Sequence, residues 1–339
     1  GVSHRLPIFR LSPAGWTGVD LFFVLSGFLI TGILFDAKGS PHYFRNFYAR
    51  RGLRIWPLYF AVLAYAFLLL PNLPGFTRDS VGMQGFSASY YLLYLQNFKY
   101  GTSGPFPLAV TWSLAVEEHF YLLWPLVVAS VRREHLPRIL AALIAATAIS
   151  RYFLLPHFSN TTASFYRFDE MAWGALLACY VRSPRYSAAR LRRWSRAGCW
   201  LVLPLFYCII AQPASSWLRA HGLVYSLLGF VFVCWVAFAL TARPQSWSMR
   251  LLNTRFLRYT GKISYGIYLL HPIVMPNRQL HHLADRVPAG VARDAATLAL
   301  EFAGIYLLAT ASWRWLESPL LRLKRRFAAP VQTGQAAAA

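Results

Sequence analysis

Acidic residues are scarce: of 339 residues only 12 are Asp or Glu, and all charged types together make up 14%. Soluble domains carry about a quarter charged residues, so this shortage excludes an ordinary water-facing surface. Cysteine is nearly as sparse. Cys179, Cys199, Cys208 and Cys234 fall inside or at the edge of apolar runs, with neither a C-x-x-C pair nor metal-ligand spacing. That excludes a disulfide framework, gives no reason to expect a metal, and leaves the four as small core residues. An initiating Met and a basic segment leading into an apolar core are both missing. No signal peptide is therefore expected, and the chain is expected to begin within a longer protein. Internal repeats, a soluble domain and a linker long enough to join one are likewise not found.

What is present is apolar. Hydrophobic residues make up 57% and the mean hydropathy is +0.39. Runs long enough to cross about 30 Å of hydrocarbon lie at 17–37, 53–70, 112–131, 139–155, 166–182, 198–212, 222–242, 263–280 and 295–316. The expected fold is all-α, a polytopic transmembrane helical bundle. A tenth stretch, Phe86 to Leu95, is short, rich in Ser and Tyr, and flanked by Pro/Gly-bearing segments; it reads as re-entrant or interfacial.

Basic residues number 34 and the formal net charge is +22, a balance that in isolation suggests nucleic acid. Their placement argues against that partner, because nearly all the arginines sit in short stretches between apolar runs. If 86–95 does not cross, the loops 36–56, 132–138, 182–196, 242–262 and 317–327 share one side and hold 23 of the 34 Lys/Arg. The positive-inside rule then puts those loops and the C-terminus in the cytoplasm and residue 1 outside. Residues 1–327 form one membrane domain in this reading, and 328–339 a disordered cytoplasmic tail.

Ionisable groups inside a bilayer are costly, so each is a candidate for function. Asp20 stands near the outer end of the first span, either as a helix-start carboxylate favoured by the dipole or as an active-site acid. Ser26 and Gly27 lie about two turns further in, a small pair that permits close helix approach. Arg51 and Arg54, three apart at a cytoplasmic helix entrance, share a face if that turn is helical. Two guanidinium forks there suit phosphates, although a topology signal or an anionic-lipid contact would use the same residues. Thr111 to Tyr121 opens a span in which Ser113, Glu117 and Tyr121 fall on one face at i,i+4 spacing. Glu117 and Glu118 would serve the helix dipole there, or Glu117, one turn inside apolar surroundings, would serve proton transfer. Asp169 and Glu170 open another span, and His271 closes one, both on the outer side. Arg314 and Glu317 read as a structural i,i+3 ion pair closing the last helix before Pro319 stops it. His4 precedes the first complete span and on sequence alone is an ordinary loop histidine.

Taken together, six segments resemble the acyltransferase 3 family of membrane acyltransferases. They are GVDLFFVLSGFLIT, RRGLRIWP, TWSLAVEEHFYLLWP, RFDEMAWGALLA, ISYGIYLLHP and WRWLESP, in family order across residues 4 to 319. The resemblance implies a core of about ten helices, with the first largely missing here: His4 matches a histidine that normally follows a basic residue by about ten positions, and that basic partner is absent. It further implies an enzyme of a bacterial inner membrane, transferring an acyl group, commonly acetyl, from cytoplasmic acyl-CoA to a hydroxyl of a carbohydrate or glycolipid acceptor.

On the matched positions it assigns Arg51 and Arg54 to the 3′-phosphate or pyrophosphate of CoA, and His4 as general base or transient acyl carrier. Glu117 and Asp20 would position that histidine or relay its proton. Ser113 and Tyr121 are supporting candidates, beside Glu170 and His271. Some family members carry a fused extracytoplasmic SGNH domain; with none in these residues, the chain is expected to act alone or with a separate extracytoplasmic partner. A proton-coupled transporter of an acyl donor or anionic substrate, or an inactive membrane scaffold, would also carry membrane carboxylates and basic gates. The absence of half-to-half symmetry favours the enzyme.

Overall fold

The structure is a computed structural model that describes residues 12–73, 85–101, 104–158, 160–211, 222–275, 284, 287 and 290–327. His4 and the 328–339 tail lie outside the described residues. Among the described residues there are helices and turns and no strand. A 3₁₀ turn, Ser12–Thr17, leads into α1 (Gly18–Ala37). α2 (Tyr43–Ala64) runs on through a π turn, Tyr65–Leu69. Two short helices follow, α3 (Ala88–Leu92) and α4 (Gln96–Lys99), then α5 (Trp112–Ser130), α6 (Leu136–Phe158), α7 (Phe168–Val181) and α8 (Ala188–Ala211). The chain continues with α9 (Leu223–Thr241), α10 (Trp247–Leu252), α11 (Arg255–Val274) and α12 (Val291–Ser312). A π turn (Trp313–Glu317), α13 (Ser318–Arg322) and a last 3₁₀ turn (Leu323–Phe327) close the described chain.

Each of the nine expected spans falls on a helix over its described residues. Five helical stretches are long and apolar enough to cross a membrane by length and composition: Gly15–Ala37, Tyr43–Asn72, Leu136–His157, Leu223–Thr241 and Val291–Phe327. The others are shorter or carry charge. α7 is only 14 residues, about 21 Å at 1.5 Å per residue. The stretch at 86–95, expected to be re-entrant or interfacial, holds the five-residue α3, far too short to cross.

Two helix groups pack around a common gap. In the first, α1 lies against α5, α7 and α9, with α6 and α8 outside them; in the second, α2 packs with α11 and the chain's last turns, and α12 packs on α11. The α1–α7 crossing is set by glycine on both helices. A Cβ at Gly27 would fall 1.9 Å from the Met171 carbonyl oxygen, and one at Gly174 would fall 1.9 Å from that of Val24. Neither helix could come so near with a side chain in either place. At the basic end, Lys38 Nζ donates 2.7 Å bonds to the Val128 and Val131 carbonyls, Arg133 Nη2 donates to the Phe35 carbonyl at 2.6 Å, and Arg182 grips Asp36 with two 2.8 Å bonds. Basic side chains thereby cap helix C-termini whose last carbonyls lack helical partners.

Three expectations need correction here. The expected Arg314–Glu317 ion pair is not formed: Arg314 is exposed, while Glu317 is buried and accepts from Ser312 Oγ at 3.0 Å. The π turn over Trp313–Glu317 is the reason, since its wider winding moves the two off the common face that α-helical spacing gives them. Pro319 does not stop the helix either, because it sits in the first turn of α13, where its missing N–H costs nothing. Cys179 is buried as expected, but Cys208 is exposed on the outer surface of the bundle.

Candidate functional site

The gap between the two groups is a cavity of about 410 Å³ lined from four helices. α1 supplies Gly18, Val19, Phe22, Ser26 and Leu29, α2 supplies Arg51 and Arg54, α5 supplies Leu114, Glu117 and Tyr121, and α11 supplies Tyr265 and Tyr268. From Gly18 to Leu29 the wall runs about 16 Å along α1. One space therefore joins the α1 N-terminal end to the arginines.

At its wall, Glu117 is 4% exposed and accepts from Ser26 Oγ at 2.5 Å and from the Tyr121 hydroxyl. Ser26 Oγ and Tyr121 Oη are themselves 3.2 Å apart. Because i,i+4 spacing stacks Tyr121 over Glu117, and the glycine crossing holds α1 in place, one carboxylate oxygen is fixed by two hydroxyls. No guanidinium is bonded to it among the described residues. Arg51 instead stands 5.6 Å from the Tyr121 ring centroid and 5.9 Å from that of Phe47, and Arg54 6.0 Å from that of Trp313, at cation–π range. The charges of both arginines act on Glu117. Both sit in regular α2 helix, so the common face expected of them is present, and their hydrogen-bonding forks are not engaged by an acid within 4 Å among the described residues.

Ser113 shares the buried face of α5 but not its bonds. Its hydroxyl lies 2.6 Å from Tyr268 Oη and donates to the Val110 carbonyl at 3.2 Å. His271 is half-buried, its Nδ1 2.6 Å from the Tyr268 carbonyl oxygen. It supports the Tyr268 turn and is not among the cavity-lining residues.

Asp20 and Glu170 are elsewhere. Asp20 is fully buried and its Oδ1 accepts from Arg167 Nη2 at 2.6 Å, while Glu170 Oε1 stands 3.3 Å from the same nitrogen. The Arg167 guanidinium lies over the Tyr225 ring at 4.0 Å. Beside this group Arg151, also fully buried, donates to Asp169 Oδ1 at 2.9 Å and to Asp169 Oδ2, which takes a further 2.7 Å bond from Ser226 Oγ. The structure thus brings Glu117, Tyr121, Arg51 and Arg54 to one cavity and places Asp20 and Glu170 in a buried ionic group behind α1, both on the one Arg167 guanidinium. Ser26, Tyr265 and Tyr268 are cavity residues that sequence reasoning did not assign; hydroxyls inside apolar spans were the available signal. Arg151 was also missed, although an arginine within the apolar run 139–155 demands a buried partner.

A family model described as an acyltransferase domain matches residues 3–278, and the chain belongs to that family. A relative in Listeria monocytogenes, the peptidoglycan O-acetyltransferase OatA, is 27% identical over 338 residues, covering 92% of this chain and 52% of that protein. The O-acetyltransferase OatA of Staphylococcus aureus is 26% identical over 334 residues, covering 90% of this chain and 52% of its own. The chain spans about half the length of the curated relatives it matches. No solved structure matches it significantly. Family, helical content and apolar spans together define an integral membrane protein of the acyltransferase class.

Proposed function

We propose that this protein is a membrane O-acyltransferase that moves an acyl group, acetyl in the first instance, from acyl-CoA to a hydroxyl of a cell-envelope carbohydrate or glycolipid. The observation that carries the reading is the single cavity in which Glu117, held by Ser26 and Tyr121, faces the same space as Arg51 and Arg54. The relatives' names, peptidoglycan O-acetyltransferase among them, supply the acceptor class. Residues 1–327 act as the membrane domain, in the bacterial cytoplasmic membrane with the C-terminus in the cytoplasm, and an extracytoplasmic partner receives the acyl group where the acceptor lies beyond reach.

In this reading the arginines hold the CoA phosphates by charge-assisted bonds, with the thioester directed into the cavity. The acceptor oxygen attacks the thioester carbonyl: a C–O bond forms, the C–S bond breaks, the acceptor proton passes to a base, and the CoA thiolate leaves and is protonated. The family resemblance makes His4 that base. Glu117, its oxygen fixed by two hydroxyls, orients the base or accepts its proton. The 16 Å of cavity along α1 gives a path by which a donor gripped near Arg51 reaches an acceptor near Gly18.

Acetyl transfer from radiolabelled acetyl-CoA to endogenous glycan or lipid, in membranes containing the protein, tests the proposal. Arg51→Ala, Arg54→Ala, Glu117→Gln and His4→Ala should each lower transfer at least tenfold at unchanged protein level, about the least that losing a charged bond or an acid–base group costs. Equal transfer by all five proteins would sink the assignment and return the chain to the transporter or scaffold readings.

A further inference from the structure

A second, smaller cavity of about 80 Å³ opens at the basic end of the molecule. Its walls include Ser40 and Asn46, and its cations are Arg50, Arg51 and Lys324. Arg51 lines both this cavity and the larger one, so the two meet at its side chain. Lys324 comes from the last turn, Leu323–Phe327, which packs against α2 and lies beyond the residues matched by the family model. It is half-buried, and the charges of Arg54, Arg51 and Arg50 act on it, in that order of strength. Among the described residues no carboxylate stands within ion-pair distance of any of these four cations. Gathering like charges in a half-buried place is unfavourable unless an anion completes it. The volume is that of a few water molecules, enough for one phosphate group and far short of a nucleotide.

We propose that Lys324, with Arg50, binds the 3′-phosphate of the CoA donor; this rests on the acyl-CoA reading of the larger cavity. Along CoA the order is acyl group, pantetheine arm, pyrophosphate, then ribose with its 3′-phosphate. Along the protein, Glu117 and Arg54 line the larger cavity alone, Arg51 lines both, and Arg50 and Lys324 line the smaller alone. Matching the two sequences puts the pyrophosphate at the shared Arg51. The 3′-phosphate, a monoester with close to two negative charges at neutral pH, then falls at the outlying cations. The adenine is left outside the cavity.

Binding of CoA and of 3′-dephospho-CoA to the purified protein in phosphatidylcholine nanodiscs, measured by calorimetry, decides the matter. The wild type should prefer CoA by about 10- to 100-fold, the range of a charge-assisted bond. Lys324→Met, close in shape, should lose most of that preference, and Lys324→Arg should restore it. A wild-type preference kept by Lys324→Met would overturn the assignment while leaving the acyl-CoA reading intact. Binding of neither compound by the wild type would overturn both. A wild type that binds both compounds alike would likewise overturn the assignment and leave the cavity to another anion such as a lipid headgroup.

Discussion

Two clusters of ionisable residues face each other across α1, and they are built on opposite principles. Behind the helix, Arg151 with Asp169 and Arg167 with Asp20 are closed ion pairs at full burial, each guanidinium bonded directly to its acid. In front of it, Glu117 is bonded only to the hydroxyls of Ser26 and Tyr121, and Arg51 and Arg54 stand against aromatic rings without an acid in ion-pair range among the described residues. Charges spent on each other hold helices together. Charges left open toward a cavity are available to a ligand. The same residue types thus hold helices together in one place and, in the proposed function, serve chemistry in the other, and the difference lies first in their partners.

The comparison breaks first if the rear cluster can be cut without loss of the fold. Removing one member strands its partner's charge in a dry interior, a cost of about 3–5 kcal/mol for a buried pair. Asp169→Asn and Arg151→Met should therefore each lower the thermal midpoint of detergent-purified protein sharply or prevent its accumulation, whereas Glu117→Gln should unfold at nearly the wild-type temperature. If Glu117→Gln were as destabilising as Asp169→Asn, the front cluster would be structural too.

A somewhat smaller effect is expected where the helix between the clusters is seated. Gly27→Ala or Gly174→Ala forces a methyl group against a backbone carbonyl 1.9 Å away, so α1 and α7 must separate, at about 1–3 kcal/mol for an overpacked core. Thermal unfolding should show the loss. Transfer activity should fall further than stability, because Ser26 adjoins Gly27 and its 2.5 Å bond to Glu117 depends on the height of α1. Unchanged activity in a folded Gly27→Ala protein would mean that the Ser26–Glu117 bond does not matter.

Local regularities of this molecule could be read from its sequence, and long-range ones could not. The helices followed from apolar runs, and the Ser113–Glu117–Tyr121 face and the Arg51–Arg54 pair from helical spacing, because those relations repeat within one turn. The Ser26–Glu117 bond joins positions 91 apart, and nothing in either segment announces the other. Asp20 failed to reach the cavity for a similar reason. Its position on α1 differs by six residues from Ser26, which turns it about 120° round the helix from the cavity face, toward an arginine 147 positions away. The π turn at Trp313–Glu317 has no periodic signature, so an ion pair drawn on α-helical spacing was misplaced there.

The smallest expected difference is between two hydroxyls on one face of α5. Tyr121 bonds the Glu117 oxygen and carries the cation–π contact of Arg51; Ser113 bonds Tyr268 and a backbone carbonyl. Deleting the Tyr121 hydroxyl removes a bond to a charged group, typically about 1.5–3 kcal/mol, and deleting that of Ser113 removes a neutral bond near 1 kcal/mol that the reacting groups do not feel. Tyr121→Phe should therefore lower the acetyl-transfer rate by about tenfold or more. Ser113→Ala should stay within about threefold while lowering the thermal midpoint slightly. The two substitutions remove the same atom type from one helix face about two turns apart, so a larger loss for Ser113→Ala would move the reacting end of the cavity away from Glu117 and toward Tyr268 and α11.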